Sequence, residues 1–210
     1  MKDKPIKETV TVWLIDVRNL EPVEAQCLPL LTPERRKAAE GYRDQTARLR
    51  AVGAGLLLRK VLGVERDSDL SQSEYGKPFL TASGPCFSLS NAGHFAGLAV
   101  ARVPVGLDIE QIKDDYPPVL RRYFLPDELE WLDLAPSGER FCTLWTRLES
   151  VLKAEGTGFE GWRQRACSLI QENGTWVLEN AVHDGHMIAC AAPEPFYLRL
   201  TNTNTDCLLK

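Results

Sequence analysis

Val105-Gly106-Leu107-Asp108-Ile109-Glu110-Gln111-Ile112 is the stretch on which the reading of this chain turns. Its apolar and acidic residues alternate at the period of a β-strand, which sends Leu107 and Ile109 to the core and brings out Asp108 and Glu110 together on the other face. Two carboxylates side by side repel each other unless a cation neutralises them, and a hard, oxygen-preferring ion such as Mg²⁺ is the simplest candidate. The same pattern also suits a half-exposed strand with solvated acids. The segment alone leaves both readings open.

Downstream, residues 137–155 have helical periodicity, with Ser137 placed as a cap and Gly156 as a stop. Leu144, Leu148, Val151 and Leu152 form the apolar stripe, so Leu148 is expected to be buried. Glu149 and Lys153 are four apart and share a face, with Trp145 on the preceding turn. At this spacing a Glu-Lys pair is ordinarily a surface ion pair contributing ~0.3 to 0.5 kcal/mol. Beside Asp108 and Glu110, however, it offers a third carboxylate for a metal and a cation for a phosphate.

Gly106-Leu107-Asp108-Ile109-Glu110, followed by Trp145-Thr146-Arg147-Leu148-Glu149-Ser150-Val151-Leu152-Lys153, resembles the two signature motifs of the 4′-phosphopantetheinyl transferases of the surfactin-synthetase type. Other features of that family lie in the same order. Tyr75-Gly76-Lys77-Pro78 is similar to its coenzyme A loop, and Phe87-Ser88-Leu89-Ser90-Asn91 to the strand that touches the nucleotide. Thr32 to Lys37, and Arg48 to Arg50 leading into Leu56-Leu57-Leu58-Arg59, resemble its N-terminal helices, and Tyr123 to Glu128 its Phe-(Ser/Thr)-x-x-Glu segment. The likeness spans residues 30 to 160, and the order of several motifs makes it more specific than any one of them.

The resemblance implies an α+β fold, a two-lobed pseudodimer in which each lobe is a long helix on a small antiparallel sheet, with lobes 1–103 and 104–210 and the active site at their interface. It implies transfer of the 4′-phosphopantetheine arm of coenzyme A to a serine of an acyl or peptidyl carrier protein, with release of adenosine 3′,5′-bisphosphate. Asp108, Glu110 and Glu149 would hold Mg²⁺, and Glu149 and Lys153 would be catalytic. Arg50, Lys77, Pro78, Ser90, Asn91 and Lys153 would bind coenzyme A. Glu128 is a further site residue, or else a helix-terminal acid opposite Arg121 and Arg122.

Two positions depart from the family. Asn91 stands where it usually has His, and a neutral amide cannot give a 3′-phosphate the positive charge that His can. Leu148 stands where it usually has Lys. These two residues are the support for a rival reading, a catalytically silent protein that binds coenzyme A or a carrier. An unrelated Mg²⁺-dependent phosphotransferase has less support, since the chain has no Walker loop or dinucleotide fingerprint.

Composition sets outer limits. A chain of 210 residues with 44% hydrophobic residues can bury a substantial core. No apolar run approaches the ~18 to 20 residues of a membrane span, and Met1 to Pro5 leads into no signal-peptide core, so a cytoplasmic protein without membrane partners is expected. A monomer is the expected state. Cys27, Cys86, Cys142, Cys167, Cys190 and Cys207 include no C-x-x-C pair, which favours packing thiols over disulfides. His183-x-x-His186 with Cys190 outlines a zinc site that lacks a fourth ligand. The net charge of −4 hides an asymmetry: residues 34–66 carry nine Lys or Arg against four Asp or Glu, and residues 105–160 carry six against twelve. A basic face beside an acidic centre suits a pyrophosphate substrate and an acidic protein partner, although an amphipathic helix pair would have the same charges. Nucleic acid is not expected, because no basic stripe is interleaved with aromatics. A faint repeat completes the pattern. A helix ending at Arg59 and one passing Leu152 are each followed by a strand, His94 to Val100 and His186 to Ala192, and Glu172-Asn173-Gly174-Thr175 reads as a hairpin turn between Cys167–Ile170 and Trp176–Leu178.

Overall fold

In β1 (Glu8–Asp16), alternate residues serve two different cores, Val10, Val12 and Leu14 on one face and Trp13 and Ile15 on the other. The structure is a computed structural model that describes residues 7–163, 167–171 and 175–209. β1 pairs antiparallel with β5 (Phe95–Ala101), which forms a hairpin with β4 (Cys86–Ala92). β9 (Phe196–Asn202) adds to the free edge of β1 in parallel, giving the order β4-β5-β1-β9. The second sheet, β6 (Gly106–Gln111), β8 (His186–Ala192) and β7 (Val177–His183) in the order β6-β8-β7, is antiparallel throughout. A small ribbon of β2 (Leu70–Gln72) and β3 (Pro78–Leu80) flanks the first half.

The fold is α+β, with a long helix on each sheet, as expected. Short α1 (Glu24–Cys27) and α2 (Pro33–Glu40) precede α3 (Gln45–Leu62), which covers the first sheet through Val52, Leu56 and Leu57. After α4 (Pro126–Leu134), α5 (Gly138–Glu155) lies across β6 and β8. Ser137 Oγ accepts the Arg140 N–H at 3.2 Å, and Gly156 ends α5 at φ 72°, as the capping signals predict. The first long helix runs to Leu62, beyond Arg59, and stops at Gly63 with φ 69°.

The segment that contributes β9 and then α6 (Thr205–Leu208) returns to the first half, where Leu208 joins the core beneath α3. The boundary expected near residue 103 is therefore crossed twice by the chain. Cys167–Ile170 is not a strand, and residues 172–174 of the expected turn lie outside the described residues. The hairpin of this half is β7-β8 instead, turning through Asp184 and Gly185 at φ 43° and 69°.

The sheets meet at β4 and β6 through side chains. Ser88 Oγ accepts the Leu107 N–H at 3.0 Å and Ser90 Oγ accepts the Ile109 N–H at 3.1 Å, so two hydroxyls do the work of a ladder. Gly106 is where β6 touches α5: a Cβ there would overlap Ser150 O and Ala154 N, so only glycine permits the crossing.

Candidate active site

Strand period and helix spacing together build the centre. β6 turns Leu107 and Ile109 into the core between the sheets and presents Asp108 and Glu110 to α5. α5 returns Glu149 and Lys153 to the same place, and one carboxylate oxygen each from Asp108, Glu110 and Glu149 lies within 4.8 Å of the others. Lys153 Nζ is 2.6 Å from Asp108 Oδ1 and 3.6 Å from Glu149 Oε2. The Ser90 hydroxyl donates to Asp108 Oδ1 at 2.9 Å and accepts from Lys153 Nζ at 3.1 Å. Leu148 is fully buried among Leu144, Trp145 and Leu152, as its place on the stripe requires.

Crowding of acids out of water governs the electrostatics. Burial, then the charge of Asp108, pushes Glu110 and Glu149 up to about 7. Burial likewise raises Asp108, against the pull of Lys153 and Ser90. Burial alone would lower the Lys153 ammonium, but Asp108 and Glu149 outweigh it, so the lysine keeps its proton. Asp108 Oδ2 is buried with no hydrogen-bond partner, whereas Oδ1 is filled. An orphaned carboxylate oxygen beside two further carboxylates that hold their protons too tightly is a donor set that fits a hard divalent cation.

The other expected site residues divide into groups. Pro78 and the stem of Lys77, with Tyr75, Leu89 and Phe159, line a cleft of about 290 Å³ onto which Glu149 and Lys153 open. Arg50 and Asn91 line a separate recess with Glu110 and Lys113. Arg50 Nη1 donates to Gly93 O at 3.0 Å, and its Nε is buried without a partner. Ser90 and Lys77 have their polar groups turned inward, on Asp108 and on main-chain carbonyls respectively.

Glu128 is not at the centre. It is fully buried, its carboxylate accepting the Leu125 N–H at 2.8 Å and the Leu169 N–H at 2.9 Å, so it closes the start of α4 onto a distant segment. Arg121 pairs with Asp133 instead. The outlined zinc site does not assemble. His183 and His186 face each other across the hairpin, while Cys190 is buried in the core between the sheets. Among the described residues, Asp108, Glu110 and Glu149 are the group that could hold a metal. Ser88 was passed over by sequence reasoning, although the period-two pair Ser88 and Ser90 signals two hydroxyls on one face.

Comparison with known proteins decides the family. The model of the 4′-phosphopantetheinyl transferase superfamily matches residues 104–190, which contain the whole acidic centre. A phosphopantetheinyl transferase of Thraustochytrium sp. is 30% identical over 199 residues, covering 81% of this chain and 69% of its own length. The chain belongs to the 4′-phosphopantetheinyl transferase superfamily. It is also 30% identical over 158 residues to the 4′-phosphopantetheinyl transferase gsp of Aneurinibacillus migulanus, covering 71% of this chain and 62% of that one. Against a 4′-phosphopantetheinyl transferase of Bacillus pumilus the identity is 27% over 179 residues, 81% of this chain and 77% of the relative. The match to the Aneurinibacillus member of the superfamily thus spans about three fifths of that protein's length. No helix among the described residues is long and apolar enough to cross a membrane.

Proposed function

We propose that this chain transfers the 4′-phosphopantetheine arm of coenzyme A to a serine of an acyl or peptidyl carrier protein, with Mg²⁺, releasing adenosine 3′,5′-bisphosphate. The convergence of Asp108, Glu110, Glu149 and Lys153 where the two halves meet carries this reading. Asp108, Glu110 and Glu149 would hold the cation, which when bound supplies neutralisation of the pyrophosphate charge.

The serine oxygen forms a bond to the phosphorus that bears the pantetheine arm. The bond from that phosphorus to the bridging oxygen breaks, and its electron pair leaves with adenosine 3′,5′-bisphosphate. Glu149 takes the hydroxyl proton directly or through water, although a carboxylate that also holds the cation is a weak base. Lys153 exchanges part of its contact with Asp108 for a phosphate oxygen. Pro78 stands on the coenzyme A side in one cleft, and Arg50 and Asn91 stand there in the other. Glu149 opens on the first cleft and Glu110 on the second, so both clefts reach the same acidic centre.

Incubation with Mg²⁺, coenzyme A and a panel of apo carrier proteins, read by intact mass, tests the reading. The expected result is a phosphopantetheine adduct on at least one carrier that is lost in excess chelator. Coenzyme A binding without an adduct on any carrier would instead favour the silent binder suggested by Asn91 and Leu148.

A further inference from the structure

Lys77 has the contacts that depart furthest from the role its motif implies. Its Nζ donates to Val105 O at 3.2 Å and to Ala154 O at 3.1 Å. Val105 immediately precedes β6, and Ala154 belongs to the last turn of α5, where carbonyls have no intrahelical donor. A single ammonium therefore gives a helix C-terminus a cation and ties it to the start of a strand. The side chain is fixed at its other end as well. The Lys77 N–H donates to Ser73 Oγ at 3.1 Å, the Ser73 N–H donates to Lys77 O at 2.9 Å, and Gly76 turns the chain at φ 81°. The stem lies over Gly156, where a Cβ would meet Lys77 Cδ at 3.4 Å.

Both anchored carbonyls flank the acidic centre. Val105 lies three residues before Asp108, and Ala154 follows Lys153. The ammonium closes the same crossing at which Gly106 touches Ser150 and Ala154. To follow a phosphate it would have to release both carbonyls, one of them an unsatisfied helix end. We propose that Lys77 is a positioning residue, a clamp that holds the last turn of α5 against the start of β6 and so sets the spacing of Glu149 and Lys153 from Asp108. The kinetic part of its test rests on the transferase reading, the Mn²⁺ part rests on Asp108, Glu110 and Glu149 as the metal set, and the melting temperature rests on neither.

The test compares Lys77→Met, which keeps the stem, and Lys77→Arg, which keeps a cation with several donors, in the full chain. Three quantities are read: the melting temperature without ligands, Mn²⁺ binding by calorimetry, and kcat and KM for coenzyme A. Lys77→Met is expected to lower the melting temperature by about 2 to 4 °C and to weaken Mn²⁺ binding by about tenfold. It should lower kcat while KM for coenzyme A stays within about twofold, and Lys77→Arg should recover part of each loss. An unchanged melting temperature and Mn²⁺ affinity with KM raised about tenfold or more would make Lys77 a phosphate contact and overturn the clamp. A lower melting temperature with unaltered Mn²⁺ binding would also overturn it, leaving a staple with no bearing on the centre. If the native chain binds Mn²⁺ but transfers nothing, the transferase reading fails alone and the first two quantities still decide the clamp.

Discussion

α3 and α5 have the same length, 18 residues, and nearly the same ends, yet only α5 adds a cluster of charged side chains to what it lays on its sheet. Asp44 caps one and Ser137 the other, and each stops at a glycine in the left-handed region. Under α3 the contact with the sheet is apolar, made by Val52, Leu56 and Leu57. Under α5, Glu149 and Lys153 stand with Asp108 and Glu110 of β6, beside an apolar contact of Val151 and Ala154 with Ala191 of β8. The glycines that let helix and sheet approach are also placed differently. Gly53 is on the helix in the first half, and Gly106 is on the strand in the second. A repeated scaffold can therefore keep its caps and layers while one copy adds a charged seam, stabilised by the apolar contacts around it.

The largest expected effect lies in the charged seam. Asp108→Ala, Glu110→Ala and Glu149→Ala should each lower transfer by about 10²- to 10³-fold or more while leaving a folded protein, because each removes a charged group from the reacting centre. Leu57→Ala beneath α3 should do the reverse, costing about 2 to 5 kcal/mol of stability with little change in rate per folded molecule. Rates corrected for folded fraction check both, and an Asp108→Ala protein with native activity would break the comparison.

Next come the two glycines. Gly106→Ala places a Cβ against backbone atoms that cannot give way, so it should cost about 3 kcal/mol or more. At Gly53 the nearest neighbours are side-chain ends of Ile15, Ala96 and Val17 at 3.0 to 3.2 Å, and the helix propensity of alanine offsets about 1 kcal/mol of the crowding. Denaturant unfolding of the two variants reads the difference. Equal losses would mean that the halves are equally tolerant at their crossings.

Protonation sharpens the contrast further. Glu110 and Glu149 are raised from 4.5 to about 7 in the folded chain, so between those values the native state binds more protons than the unfolded one. The metal-free protein should accordingly lose stability as the pH rises from about 5 to 7.5. Saturating Mg²⁺ should oppose the loss, because a metal needs the deprotonated carboxylates. Melting temperatures across pH, with and without Mg²⁺, check this, and a Glu110→Gln variant should flatten the metal-free slope. The smallest effect is expected at Asn91, exposed in the recess beside Arg50. A neutral hydrogen bond in place of a charge-assisted one should forfeit about 1 kcal/mol of preference for the 3′-phosphate. Asn91→His should therefore raise discrimination between coenzyme A and its 3′-dephospho form by up to about tenfold below about pH 6.5. A native chain that already discriminates strongly would assign the phosphate to Arg50.

The acidic centre was legible because its two components obey local periods, two along Asp108 and Glu110 and four from Glu149 to Lys153. Their meeting depended only on the strand and helix packing together. The cap at Ser137 and the stop at Gly156 were local too, whereas the end of the first long helix at Gly63 was missed by three residues. What stayed hidden depended on distant partners. The carbonyls that hold Lys77 are 28 and 77 residues away in the chain, and nothing in Tyr75-Gly76-Lys77-Pro78 separates a buried clamp from a phosphate ligand. Glu128 has the same ambiguity, since its acceptance of the Leu169 N–H, 41 residues on, cannot be read from an acid near a helix start. The return of β9 was hidden for the same reason, because its partner is Glu8 to Leu14, near the other end of the sequence.

That return has a consequence for the chain's birth on the ribosome. The free edge of β1 runs beside β9 from Glu8 opposite Phe196 to Leu14 opposite Asn202, so this edge is left without its native partner until nearly 190 further residues have been made. Pairings between such remote segments form late and slowly, and an open strand edge is a template for unwanted association in the meantime. The nascent chain thus carries its α3 half as an unfinished sheet past the synthesis of Asp108 and Glu149. Closure of that sheet comes only with the last strand, so a nascent chain halted before Phe196 would hold every acidic residue of the centre on an incomplete frame.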